Sequence, residues 1–195
     1  MFSSELEEWL RHGRDKALGG LIELFQERAF AIIFLIMMAL PALPIPTGGI
    51  THITELITLL GALQLIAGRR TIWLPQKWLK FNAAKSLKGK SGQRFIGLIK
   101  WFERFSRPRL GRLVASPAGR SLCGVAVAIL TIAAFVAPPF SGLDTLPALG
   151  VVVLSLGMIF EDLLIVISGV LIGAVGIGVE ISAGTALYEG FKHFL

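Results

Sequence analysis

Five apolar stretches alternate with polar segments along the chain, and each stretch carries at most one Asp, Glu, Lys or Arg. They cover residues 29–43, 50–67, 121–140, 146–160 and 163–187. The hydrocarbon core of a bilayer is about 30 Å thick, and a helix needs roughly 20 apolar residues to cross it. Because several stretches are shorter, the pattern predicts an all-α polytopic membrane protein with re-entrant or broken helices beside full crossings.

The polar segments carry two amphipathic helical patterns. Apolar residues recur at helical spacing among charges from 14 to 28, and again from 95 to 105. We expect both helices to lie at a membrane interface, the second on an anionic leaflet. The N-terminus is not expected to be a cleavable signal peptide, because it opens with acidic residues and offers no small-residue cleavage site.

Composition and charge narrow the class further. The chain is 54% hydrophobic and 16% charged, whereas ordinary soluble domains carry about 25% charged residues. Segment 69–120 holds fourteen of the 19 Lys and Arg residues and one acid, so it accounts for the net charge of +6. The positive-inside rule predicts that this segment lies in the cytoplasm. We expect no nucleic-acid partner, because apolar stretches bracket the basic segment on both sides.

An internal repeat connects the two halves of the chain. Residues 42–48 read ALPIPTG and residues 136–142 read VAPPFSG, at an offset of 94. Each motif follows one uncharged apolar stretch and precedes another that ends in a charged pair. Proline and glycine break helices, and the freed backbone groups need water or protein partners. The repeat predicts either a polar cavity of the transporter type at the two breaks or two hairpin turns at the membrane surface.

The pattern divides a single membrane domain, residues 1–195, into five parts. These are amphipathic N-terminal helices at 1–28, a first helical-hairpin repeat at 29–68, a basic cytoplasmic segment at 69–118, a second repeat at 119–162 and a glycine-rich helix at 163–195. Gly169 and Gly173 form a small-xxx-small pair that allows close helix approach within the chain or between protomers. We therefore expect a homo-oligomer, with a dimer as the simplest form.

The candidate cavity or binding residues lie at the two breaks and in the helix after the first. They are Pro44, Pro46, Thr47, Gly48, Glu55, Gln64, Pro138, Pro139, Ser141 and Gly142. Glu55 is predicted to bind a cation or relay protons, or else to be an interfacial carboxylate stabilised by the helix N-terminus. For Gln64 we favour a structural role, with hydrogen bonds across the bundle.

Charged pairs end the second and fourth apolar stretches. Arg69 and Arg70 occupy the place in the first half that Glu161 and Asp162 occupy in the second. The opposite signs predict ion pairs between the halves, or a solvated turn at Glu161 and Asp162. Glu180 is expected to be an interfacial acid near the far side of the membrane.

No motif indicates catalysis, a cofactor or a metal. The single cysteine excludes an intrachain disulfide, and the three histidines are scattered without metal-ligand spacing. The Gly-Lys-Ser at 89–91 lacks the preceding glycine of a phosphate-binding loop, because Ala84 stands there. We therefore expect a protein that is not an enzyme, and rank a membrane enzyme acting on lipid-linked sugar last.

Short motifs throughout the chain resemble one bacterial family. They are ERAF at 27–30, LP at 40–41, ALQL at 62–65, GRR at 68–70, WLP at 73–75, PFSG at 139–142 and LPAL at 146–149. Together they resemble the exopolysaccharide synthesis ExoD family from Leu18 to the C-terminus. The chain departs from the usual pattern at Ala42, Thr47 and Leu163, where Asn, Pro and Gly are expected.

The resemblance implies a small inner-membrane protein associated with exopolysaccharide production, and no particular reaction. Two functions follow from it and from the helix breaks. The first is a transporter-like protein with a polar cavity at the breaks. The alternative is a non-catalytic scaffold or regulator whose basic segment contacts anionic lipid or proteins of the exopolysaccharide machinery.

Overall fold

The computed structural model describes Glu8 and residues 28–43, 50–73, 75, 97, 99–102, 104, 110–138 and 141–194. These residues contain helices and no strand, which confirms the all-α class. The helices are α1 (Ala29–Met38), α2 (Ile50–Ile66), α3 (Gly111–Ala115), α4 (Pro117–Val136), α5 (Thr145–Phe160) and α6 (Leu163–Phe194). The predicted helices at 1–28 and most of segment 69–118 lie outside the described residues.

Helix α1 forms the centre of the core. All ten of its residues are apolar and buried, as expected for a helix that is hydrophobic on every face. Phe30 and Phe34 lie one turn apart, with ring centroids separated by 6.2 Å. At 1.5 Å per residue α1 is about 15 Å long, roughly half the hydrocarbon thickness. It is therefore too short to cross a bilayer by itself, as the shortness of stretch 29–43 indicated.

Neighbouring helices run antiparallel, because the beginning of each contacts the end of the next. Gly124 near the start of α4 packs against Ile66 at the end of α2. At the other end of the same pair, the rings of His52 and Phe135 meet edge to face at 5.1 Å. The start of α1 and the end of α5 are joined in the same way by an ion pair described below.

Glycines bring α5 and α6 into backbone contact. A Cβ atom built on Gly150 would lie 2.7 Å from the Cα of Gly173, and one on Gly157 would lie 2.5 Å from the backbone nitrogen of Val166. Gly169 likewise faces the backbone of Leu154. The small-xxx-small pair is therefore used within the chain, which is one of the two uses that its spacing predicted.

The antiparallel arrangement gives the bundle two ends. We call the end with Arg28, Gly68, Pro117 and Glu161 the arginine end. The opposite end, with Leu43, Ile50, Pro138 and Ser141, is called the break end because both Pro/Gly motifs adjoin it. Residues 44–49 and 139–140 lie outside the described residues, so the internal repeat and its turns remain predictions.

Among the described residues, two helices are long and apolar enough to cross a membrane, judged by length and composition. They are Pro117–Val136, with 39% of its most apolar window buried in the protein, and Leu163–Thr185, with 22% buried. Large apolar side chains cover their outer faces. Leu122, Val125, Ile129, Ile132, Phe135 and Val136 are exposed on α4, and Leu164, Ile167, Val170, Leu171, Val175, Val179 and Ile181 on α6.

Candidate functional site

Glu55 is a buried carboxylate at the break end of the bundle. It lies in the second turn of α2, and its side chain is 0% exposed. One oxygen, Oε2, lies 2.9 Å from Nδ1 of His52, a neighbour on the same helix face. The other oxygen, Oε1, is buried and has no hydrogen-bond partner among the described residues.

The hydroxyl groups beside Glu55 are already used by the backbone. The hydroxyl of Thr54 donates to the carbonyl of Thr51 at 2.8 Å, and that of Thr58 donates to the carbonyl of Thr54 at 2.9 Å. Each of these hydroxyls has a single proton to donate. His52 is therefore the side chain that serves the carboxylate, and its own 36% exposure connects Glu55 to the surface.

Two further carboxylates belong to the same end. Asp144 precedes α5 and lies close enough to Glu55 and to Glu180 of α6 to interact with both electrostatically. Glu180 follows Gly176, which packs on Pro147 at the start of α5, so it lies at the break end. Its expected place near the far membrane interface stays a prediction. Its Oε1 is buried and, within the described part of the chain, has no hydrogen-bond partner.

Thr131 adds a further buried polar atom near this level. The contacts of His52 with Phe135 and of Ala62 with Gly124 set the register of α2 against α4. That register places Thr131 at about the level of Glu55 along the bundle. The hydroxyl of Thr131 is buried without a hydrogen-bond partner among the residues described.

The described part of the second break is an exposed turn. Ser141 donates its hydroxyl to the carbonyl of Pro138 at 2.6 Å and accepts from the backbone nitrogen of Leu143 at 3.2 Å. Gly142 has φ +70°, a conformation that glycine adopts without strain. The candidates Pro44, Pro46, Thr47, Gly48 and Pro139 lie outside the described residues, so a cavity lined by both breaks remains a prediction.

Gln64 fixes the segment that follows α2. Its Nε2 donates to the carbonyl of Trp73 at 2.8 Å and to that of Leu60 at 3.3 Å, and its Oε1 accepts from the backbone nitrogen of Trp73 at 2.7 Å. Gly68, with φ +75°, ends the helix, and the backbone nitrogen of Arg69 bonds to the carbonyl of Gln64 at 3.1 Å. These hydrogen bonds go to its own helix and the adjoining segment rather than across the bundle, and a structural role for Gln64 stays a prediction.

A cavity of about 490 Å³ lies at the arginine end, and we call it the arginine cavity. Its charged lining residues are Arg28, Arg69, Arg70, Arg120 and Glu161. Its apolar lining includes Phe30, Ala31, Leu65, Val114 and Met158. The helix ends meet here because α1 and α4 begin at this end, whereas α2 and α5 finish at it.

The structure agrees only in part with the ion pairs predicted between the two halves of the chain. Arg69, Arg70 and Glu161 do line one cavity, but the ion pair that Glu161 forms is with Arg28, at 3.7 Å. Asp162 is buried, and its Oδ1 accepts from the backbone nitrogen of Leu164 at 3.0 Å. It caps the start of α6, so its position differs from that of a solvated turn residue.

Arg28 and Arg120 line the arginine cavity but are not among the residues predicted from the sequence. Each is the last charged residue before an uncharged apolar stretch, one in each half of the chain. Their separation of 92 residues is close to the repeat offset of 94. That correspondence in the sequence could have pointed to Arg28 and Arg120 as related positions. It does not reveal that both residues line one cavity.

These features define an all-α bundle with two helices of membrane-spanning length and several charged groups held between its helices. The chain belongs to the exopolysaccharide synthesis ExoD family, whose profile it matches over residues 2–182. It is also 30% identical over 188 residues to an uncharacterized protein of Synechocystis sp., an alignment that covers 91% of this chain and 86% of that protein. No solved structure is significantly similar to this chain.

Family membership associates the chain with exopolysaccharide synthesis. The match covers residues 2–182. It therefore begins before Leu18, where the resemblance begins, and ends before the C-terminus, to which the resemblance extends.

Proposed function

We propose that this protein is a transporter-like integral membrane component of exopolysaccharide synthesis, in which Glu55 takes up and releases a proton at the break end. The observation that carries the proposal is the burial of the Glu55 side chain. Glu55 is completely buried, and one of its oxygens has no partner among the described residues. Ionisable groups at such positions are costly and commonly belong to ion or proton pathways.

The outer surface of the bundle supports placement in a bilayer. Thirteen large apolar side chains on α4 and α6 are 37–73% exposed, so removing each of them from water would contribute part of the roughly 1.5–3 kcal/mol that full burial provides. Lipid covers such a surface without requiring a partner protein. The positive-inside rule then places the arginine end in the cytoplasm and the break end on the opposite side.

Electrostatics favours proton exchange at Glu55 over a permanently charged carboxylate. An isolated carboxylate in a low-dielectric interior costs far more than one hydrogen bond returns, so it is neutralised by a proton or a cation. The side chain that contacts the carboxylate of Glu55 is an imidazole, a group that exchanges protons near neutral pH. A proton is therefore the ion that we assign to Glu55.

His52 provides the route for that proton. Its ring is partly exposed and contacts Oε2 of Glu55, so a proton can pass between water and the buried carboxylate through the imidazole. Asp144 and Glu180 interact with this pair or with each other. A change of charge on Glu55 or on Glu180 therefore changes the electrostatic potential at Asp144.

The test measures proton flux through the full-length protein in proteoliposomes that enclose a pH-sensitive dye. A potassium diffusion potential drives the protons. We expect the wild-type protein to carry flux and Glu55→Gln to abolish it, because the amide keeps the shape but cannot exchange a proton. Glu8→Gln is the matched control, since Glu8 is an exposed carboxylate outside the bundle helices.

Two results would contradict the proposal. One is equal proton flux through the wild-type protein and Glu55→Gln, and the other is the absence of proton flux through the wild-type protein. A host strain that lacks its own copy and carries each variant then tests the physiological role. Normal polymer yield with Glu55→Gln would favour the alternative, a non-catalytic scaffold or regulator.

A further inference from the structure

The arginine cavity lies at the opposite end of the bundle from Glu55 and is independent of the proton pathway proposed above. Four arginines and one glutamate line it, which gives a net charge of +3. Within the described part of the chain, the ion pair at this cavity joins Arg28 and Glu161. Arg69, Arg70 and Arg120 therefore provide guanidinium groups that this carboxylate does not neutralise.

Helix dipoles do not determine the sign of the potential in this cavity. The positive N-termini of α1 and α4 lie at it, but so do the negative C-termini of α2 and α5. Their contributions largely cancel, since each is equivalent to about half an elementary charge. The arginine side chains are thus the dominant source of positive potential.

The local structure holds two of these arginines in position. Gln64 binds both backbone polar groups of Trp73 and thereby folds residues 68–73 back over the end of α2. Arg69 and Arg70 lie within that fold and line the cavity beside Leu65. Arg120 belongs to the first turn of α4, which Ser116 caps by accepting from the backbone nitrogen of Gly119.

We propose that the arginine cavity binds a phosphate group, carried either by a lipid headgroup or by a soluble phosphate ester. Guanidinium groups form paired hydrogen bonds with phosphate oxygens and are suited to this recognition. The volume of about 490 Å³ is within the range of small-molecule sites. Phe30, Leu65 and Met158 add apolar surface next to the charged groups, so the cavity matches an amphiphilic ligand as well as a soluble one.

Replacing Glu161 and replacing the arginines should change the affinity for phosphate in opposite directions. Its carboxylate pairs with Arg28 and is repelled by an entering phosphate, so it competes with the ligand. Glu161→Gln should therefore tighten phosphate binding several-fold. Removal of arginines should weaken it, and the double variant Arg69→Gln/Arg120→Gln should bind at least tenfold more weakly, through the loss of charge-assisted hydrogen bonds.

The experiment uses the full-length protein in a nonionic detergent with two probes. Native mass spectrometry compares retention of phosphatidic acid with that of phosphatidylcholine, and calorimetry measures the binding of inorganic pyrophosphate. Arg112→Gln is the matched control, because it removes an exposed arginine of α3 that does not line the cavity. We expect one equivalent of a probe to bind, and the control to change its affinity less than twofold.

Selective retention of phosphatidic acid would identify a lipid headgroup as the source, and binding of pyrophosphate alone would identify a soluble ester. Either result supports the site if the double variant loses it. Absence of binding with both probes, or an equal loss in Arg112→Gln, would overturn the proposal. If the double variant fails to fold, Glu161→Gln tests the proposal by itself. If Glu161→Gln does not bind the probe more tightly than the wild-type protein, the proposal is overturned.

Discussion

The contact between α5 and α6 provides the sharpest test of the packing, because glycines of the same helix face different surroundings. At Gly169, an added Cβ atom would meet the backbone nitrogen of Leu154 and lie 2.7 Å from the carbonyl oxygen of Gly150. Backbone atoms cannot move aside as a flexible side chain does. Gly169→Ala must therefore push the two helices apart.

The magnitude follows from two opposing effects. Overpacking of this kind costs about 3 kcal/mol, and alanine recovers about 1 kcal/mol of helix propensity. The expected net loss is about 2 kcal/mol. Gly178→Ala is the matched control, because no atom of the described residues lies within 4 Å of its added Cβ. It should stabilise the protein by up to about 1 kcal/mol.

The assay is thermal unfolding of the purified protein in one detergent, followed by circular dichroism. For a chain of this size the loss at Gly169 corresponds to a fall in Tm of roughly 4–8 °C, whereas Gly178→Ala should raise Tm. Light scattering on the same samples reports the oligomeric state. Equal Tm shifts for both variants would refute the packing argument, and dissociation of an oligomer by Gly169→Ala alone would place this face between protomers instead.

Three further predictions concern other parts of the bundle. Gln64→Leu removes two strong hydrogen bonds to the backbone of Trp73 and should lower the free energy of unfolding by about 2–3 kcal/mol. Hydrogen exchange should show faster opening of the segment that follows α2. Unchanged protection of that segment would contradict the role assigned to Gln64. Glu161→Gly replaces a residue at φ 55° and relieves about 1 kcal/mol of backbone strain. The exposed ion pair with Arg28, which is lost, contributes less than about 1 kcal/mol. Thermal unfolding should therefore show equal or higher stability, and a clear loss of stability would refute this balance. Cys123 is buried, so a water-soluble maleimide should label it only after unfolding, and rapid labelling of the folded protein would contradict its burial.

Local sequence determined most helix boundaries. The apolar stretches at 50–67 and 146–160 correspond closely to α2 and α5. Stretch 121–140 appears as Pro117–Val136, because the cap at Ser116 and the proline after it start the helix earlier, and Pro138 follows its end. Stretch 29–43 is shorter as a helix, since α1 ends at Met38 and a turn follows. These shifts arise from caps and prolines, which act over one turn.

The candidate sites depended on tertiary structure. Hydropathy placed Glu55 in an apolar helix and helical spacing put His52 on the same face, but only the tertiary structure showed that the carboxylate is buried. Arg28 and Glu161 are distant in sequence and meet because α1 and α5 run antiparallel. Sequence thus determined the all-α class and the apolar segments, since both follow from residue type and short-range spacing. The juxtaposition of charges was decided by how the helices pack, a property that no local pattern encodes.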